Sequence, residues 1–145
     1  MKIIKNILYG LSILSLALFY SCGSDDPSPL EDATNKLAKT WGNATVILDG
    51  ADVTSPSYSD FSITFRADGS YTTSDGDPAF KSTGGFWAFT NQSTFTSILV
   101  DGVTMSVVLN EEATTLKLSF LAPGAPVGAR VSGLVGDYIF DLQAL

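Results

Sequence analysis

Few side chains in this chain can do chemistry, and the usual combinations are missing. Its 145 residues contain no histidine and one cysteine, Cys22. That removes Ser-His-Asp and Cys-His nucleophilic catalysis, along with zinc sites of the His/Cys type. No Ser-x-x-Lys sequence occurs after the N-terminal segment, and no Gly-rich phosphate loop opens a helix. Asp75 and Asp77 have the i, i+2 spacing of a calcium loop, yet with Gly76 between them they read as a polar hairpin turn. Glu111-Glu112 reads as a solvated turn. A glycosidase needs two carboxylates facing each other across a cleft, and acids carried on turns do not supply that. The expectation is a non-catalytic protein with no cofactor and no metal.

Cys22 has a different chemistry, set by what precedes it. Lys2 and Lys5 give a positive start, and Ile7 to Tyr20 form an apolar run. That run has the length of a signal-peptide core and falls short of the roughly 20 residues of a spanning helix. Ser21, a small residue, stands just before the cysteine. The pattern reads as a processing site at which Cys22 becomes lipidated on its thiol and its new amine, and several acyl chains anchor a protein firmly where one does not. Phe19-Tyr20-Ser21-Cys22 resembles the bacterial lipobox, with Phe19 in place of the usual Leu and Tyr20 in place of a small residue. Ser24-Asp25-Asp26 resembles the surface-export signal of Bacteroidetes lipoproteins, which implies the outer leaflet of the outer membrane, facing outward. The chain thus divides into a signal peptide at 1–21, a lipidated cysteine and acidic tether at 22–29, and one domain at 30–145. With Cys22 acylated and no second cysteine, the domain has no disulfide and relies on its core.

Charge narrows the partners. The chain has 8 basic and 15 acidic residues. Loss of Lys2 and Lys5 with the leader leaves six against fifteen, a formal −9. Such a protein repels nucleic acid and anionic headgroups. Its charges are scattered, which serves solubility more than it builds a patch. Removing residues 1–21 leaves 124 of the 145 residues, enough for one modest core.

The elements follow from hydrophobic period. Ser28-Pro29-Leu30-Glu31 has the signature of a helix start: a capping Ser, Pro at the first helical position and Glu completing a capping box. Leu30, Ala33, Leu37, Ala38 and Trp41 share a helical face. After Trp41 the period becomes two, as in Phe61-Ile63-Phe65, Val103-Met105-Val107-Leu109, Leu116-Leu118-Phe120 and Tyr138-Phe140-Leu142. Asp-Gly at 49–50, 68–69, 75–76 and 101–102 marks turns. Eight strands are predicted, near 41–48, 58–66, 69–75, 84–90, 94–100, 103–109, 114–121 and 136–143. Hairpin-linked strands in this number close into an up-and-down barrel, which removes exposed edges; a two-sheet sandwich is the alternative. The long connection Ala122 to Gly133 is placed to cover one mouth.

A short helix, a strand opening at Lys39-Thr40-Trp41-Gly42 and an eight-strand meander together resemble the lipocalin-like domains of bacterial surface lipoproteins. Phe65-Arg66-Ala67-Asp68-Gly69-Ser70-Tyr71 and Gly84-Gly85-Phe86-Trp87-Ala88-Phe89 look like strand signatures of that group, and Trp41 matches the Trp of its Gly-x-Trp motif, with Lys39 where the Gly is expected. The resemblance covers about residues 37–143. It implies an eight-stranded antiparallel lipocalin-like barrel plugged at one end by Trp41. Tyr71, Trp87, Phe89 and Met105 are the candidates to line a pocket for a small apolar ligand; packed core is the other reading of the same four. A second functional reading is an interaction module that docks an envelope protein or glycan, with Tyr58, Phe80 and Val127 expected in exposed loops.

Overall fold

The change of hydrophobic period near Trp41 is where helix gives way to sheet. The computed structural model describes residues 26–80, 83–122 and 135–145. Helix α1 spans Pro29–Leu37, and the strands are β1 (Thr40–Leu48), β2 (Ala51–Asp52), β3 (Ser62–Phe65), β4 (Ser70–Ser74), β5 (Gly85–Phe89), β6 (Ser97–Val100), β7 (Val103–Leu109), β8 (Thr115–Ala122) and β9 (Gly136–Ala144). The helix starts where its capping residues dictate. Ser28 Oγ accepts from the Glu31 backbone N–H at 3.2 Å, and the Glu31 carboxylate accepts from the Ser28 N–H at 2.9 Å. Two donors that a helix start leaves orphaned are thereby satisfied.

Each strand from β3 onward pairs antiparallel with the next, and β1 closes the sheet onto β9, with Trp41 opposite Ala144 and Leu48 opposite Tyr138. The result is a closed eight-stranded up-and-down barrel of β1 and β3–β9 with one short helix, not a two-sheet sandwich. The two-residue β2 lies beside the barrel seam. It folds back on the far half of β1, Ile47 opposite Asp52, while the near half of β1 pairs with β3, Thr40 opposite Thr64. Two of the four Asp-Gly turns, at 49–50 and 101–102, hold both residues at positive φ, the geometry of a tight type I′ hairpin. The pair at 75–76 opens a longer connection in which the Phe80 N–H donates to the Gly76 carbonyl at 2.7 Å.

The predicted strand at 58–66 is shorter than its pattern suggests. Residues 55–60 are turns, with the Tyr58 N–H bonded to the Thr54 carbonyl and the Phe61 N–H to the Tyr58 carbonyl. Pro56, which has no N–H to give a ladder, opens that stretch. Tyr58 and Phe80, expected on exposed loops, are buried at 1% and 4% exposure. Their rings fill the barrel end farther from α1, where loops and strands contribute one aromatic group. Phe61 stacks on Phe80 at 5.5 Å, and Phe140 lies 5.3 Å from both Tyr58 and Phe80. Phe120 stacks on Tyr138 at 5.4 Å. An eight-stranded barrel is just wide enough for side chains to fill, and here large aromatic rings fill it. Val127 and the connection from 123 to 133 lie outside the described residues.

Candidate functional site at the helix-covered end of the barrel

The four predicted pocket residues separate into two pairs. Tyr71 and Met105 are core, each 2% exposed. The Tyr71 hydroxyl donates to Asp101 Oδ2 at 2.7 Å. Burial first, and then the hydrogen bond and charge of Asp101, raise the Tyr71 pKa well above that of an ordinary phenol. Trp87 and Phe89 instead sit near the end of β5 that faces α1. Trp87 is 6% exposed, and its indole N–H is shared between the Arg66 and Ser70 carbonyls, both at 3.1 Å. Phe65 packs edge-on against it at 5.4 Å. The two strand signatures singled out in the sequence therefore form one unit, with the Trp of the second latched to the β3–β4 turn of the first.

Trp41 and its neighbours build the floor of this end. Trp41 is fully buried, and its indole N–H donates to the Leu37 carbonyl at 2.9 Å, tying the first barrel strand to the last turn of α1. Lys39, which departs from the Gly-x-Trp pattern, has a use here. Its ammonium lies 5.6 Å from the Trp41 ring centre and donates to the Ala113 carbonyl in the β7–β8 turn at 3.0 Å. A residue that a motif comparison marks as wrong spans the mouth as a clasp, combining a hydrogen bond with a cation–π contact.

Above this floor α1 is held at one end only. Leu37 is its buried residue; Ala33 and Thr34 are half-buried, and Leu30 is 38% exposed. The apolar stripe of the helix is thus incompletely covered, and a groove opens on each side of it. One, of about 470 Å³, lies between Pro29, Ala33 and Lys36 on the helix and Phe89, Phe95 and Val107–Glu111 on the barrel rim. The other, of about 270 Å³, lies between Leu30 and Thr34 and the stretch containing Trp87, Ala88 and Phe89. Phe89 is common to both. Small-molecule sites range from roughly 300 to 1,000 Å³, and the larger groove falls within that range. No family model, curated protein or solved structure matches this chain. What the site can do must therefore be read from the site.

Phe95 was missed by sequence reading. It lies in the β5–β6 connection with φ +53, a left-handed conformation that a bulky side chain seldom adopts. In that conformation its ring meets Phe89 edge-on at 5.2 Å and forms a groove wall. The available signal was a lone aromatic in the polar run Asn91-Gln92-Ser93-Thr94-Phe95-Thr96. At this groove Lys36 Nζ lies 2.8 Å from Asp32 Oδ2, and Glu111 adds a second carboxylate to the lining. The groove mixes the apolar side chains of Ala33, Phe89, Phe95, Val108 and Leu109 with the polar ones of Asp32, Lys36, Thr94, Thr96, Asn110 and Glu111. Cys22, Ser24 and Asp25, the lipidation and export residues of the sequence reading, lie outside the described residues; Asp26 is the first described residue and is exposed.

Proposed function

We propose that this chain is a non-catalytic lipoprotein of the outer membrane, anchored through Cys22 and displayed on the cell surface, whose lipocalin-like barrel binds a small apolar ligand at the helix-covered mouth. The observation that carries the binding reading is the groove between α1 and Phe89, Phe95, Val108 and Leu109, where apolar side chains reach solvent. The barrel interior is taken up by the rings of Phe61, Phe80, Phe120, Tyr138 and Phe140, all in one core cluster, so a ligand is better placed at the mouth than inside. The leader and Cys22 support the anchor, and Ser24-Asp25-Asp26 supports surface display.

The anchor reading is tested by palmitate labelling of the whole protein and of Cys22→Ala. Label is expected on the first only; equal labelling of both removes the reading. Asp25→Ala with Asp26→Ala should keep the protein membrane-bound but shield it from protease added to whole cells. Binding is tested by native mass spectrometry of a Cys22→Ser protein mixed with palmitate. A one-to-one adduct is expected, and its loss in Phe89→Ser places it at the mouth. No adduct at any concentration short of micelles overturns the ligand reading.

A second reading, an interaction module docking an envelope protein or glycan, is favoured by the outer face of β5–β6. Phe86 is 74% exposed there and Leu99, paired with Ala88, is 42% exposed. Phe86→Ser with Leu99→Ser should leave folding intact and, on this reading, release the protein from detergent-solubilised envelope complexes.

A further inference from the structure

We infer that the groove beside α1 is the seat of an acyl chain carried by the protein's own Cys22. The inference rests on the lipoprotein reading and names the ligand of the same groove. Four observations converge on it.

The first is shape. Pro29, Ala33 and Lys36 lie along one side of the helix and Val107 to Glu111 run along the barrel rim, so the groove follows about two turns of α1, roughly 10 Å. A groove of that length takes part of a linear acyl chain. The second is what the walls offer. The backbone there is already paired: the Thr90 N–H donates to the Ser97 carbonyl, the Val107 N–H to the Thr96 carbonyl and the Phe95 N–H to the Asn91 carbonyl. These three groups are not free to pair with a peptide strand. The walls offer the apolar side chains of Ala33, Phe89, Phe95, Val108 and Leu109, which suit a hydrocarbon, interspersed with the polar ones of Asp32, Lys36, Thr94, Thr96, Asn110 and Glu111.

The third is reach. Pro29 is both the first helical residue and part of the groove wall, and Cys22 lies seven residues before it. Seven extended residues span at most roughly 25 Å, and the capping box fixes where the chain meets the helix. The tether therefore starts at one end of the slot. The fourth is Phe95, whose left-handed backbone keeps an aromatic ring at the groove edge. Backbone strain of this kind persists where the surrounding structure requires it, often at a ligand clamp.

The test uses the full-length protein made in a bacterium that processes lipoproteins and is fed a palmitate analogue bearing a diazirine. Irradiation turns the diazirine into a carbene that inserts into whatever C–H bond lies beside it, with loss of dinitrogen. Mass mapping is expected to show the lipidated N-terminal peptide joined to the peptide carrying Phe89–Thr96 or the one carrying Val107–Glu111 of the same chain. Ala33→Trp, which fills the slot from the half-buried side of the helix, should keep the label on Cys22, keep the melting temperature and lose those cross-links. Label on Cys22 with cross-links to bilayer lipid alone overturns the docking and leaves the lipoprotein reading standing. Cross-links that join two different chains, or that persist in Ala33→Trp, overturn the assignment of the slot. Absence of label on Cys22 overturns the lipoprotein reading and this inference with it.

Discussion

The carboxylate of Asp101 occupies the space where a side chain at Gly85 would begin. A Cβ built at Gly85 would lie 2.3 Å from both Asp101 oxygens. In that position the carboxylate accepts from the Tyr71 hydroxyl at 2.7 Å and from the Phe86 N–H at 3.2 Å. Gly85→Ala must displace it and strand a buried phenol hydroxyl, so a loss of about 1–3 kcal/mol is expected, read by denaturant unfolding. The same substitution in a Tyr71→Phe background should cost less, because no hydroxyl is left to strand. Equal costs in the two backgrounds would show that the clash at Gly85, and not the Tyr71–Asp101 bond, sets the penalty.

Tyr58 and Tyr138 carry the opposite problem at the same end of the barrel. Both are 1% exposed, and among the described residues neither buried hydroxyl makes a hydrogen bond, although the two face each other. A buried donor left unmade is a cost, while the rings themselves are well used against Phe61, Phe120 and Phe140. Tyr138→Phe keeps the ring and removes the hydroxyl, so it should raise stability by on the order of 1 kcal/mol. A lower denaturation midpoint in this variant would mean that the hydroxyl is satisfied in solution.

The pH dependence follows from the same phenols. Burial, acting first, raises the pKa of Tyr58 and of Tyr71 above the ordinary 10.0. A raised folded pKa contributes stability that is fully present below the unfolded value and is lost as pH climbs above it, because only the unfolded chain can then ionise. The barrel should hold its stability up to about pH 10 and weaken above it, and ultraviolet titration should show these two tyrosines ionising together with unfolding. Free titration of either one near its ordinary value would contradict their burial.

At acid pH the helix start should loosen. The Ser28 backbone N–H, and then its side chain, lower the pKa of Glu31. A depressed carboxylate stabilises above its unfolded pKa, and that contribution is lost as pH falls through the lowered folded value. Since α1 buries only Leu37, the loss should appear as faster amide exchange at the start of α1, and the carboxylates of Asp68 and Asp52, held low by hydrogen bonds from Ser70 and Thr54, should give the same local signature at the β3–β4 turn and at β2. Ser28→Ala should produce the same local fraying at neutral pH, with a helix cost of about 1 kcal/mol. Exchange that speeds up across β1 as well would show that helix and barrel unfold as one unit.

The parts legible in the sequence were those with a local cause. Ser28, Pro29 and Glu31 declare a helix start because capping is settled within four residues. Strands β7, β8 and β9 declare themselves because each alternates for seven or more residues. Tyr58 and Phe80 were misread because turn-like neighbours say nothing about where a ring points; their burial depends on Phe140, some sixty to eighty residues away, sitting 5.3 Å from each. Alternation also put Tyr71 and Trp87 on the same inward face without telling core from mouth. That distinction depends on where along the barrel axis each strand ends and on how far α1 covers the opening. Lys39 looked like a defect in a motif until the Ala113 carbonyl was placed beside its ammonium.

The groove makes its own prediction through Phe95. At φ +53 the residue is in a conformation that Asn tolerates better than Phe or Leu. Phe95→Asn relieves backbone strain of roughly 1 kcal/mol or more while giving up a half-buried ring whose neighbour is Phe89, so its net effect on stability should be small. It also removes the apolar wall, so palmitate binding to the Cys22→Ser protein should fall sharply. Phe95→Leu keeps the strain and an apolar wall but loses the edge-on contact with Phe89, so it should be the less stable of the two and the better binder. Stability and binding are expected to move in opposite directions across the pair, measured by thermal melting and by the native-mass adduct. If Phe95→Asn proved the less stable variant, the ring would be there to hold the loop; if the two variants bound alike, Phe95 would not be part of the site.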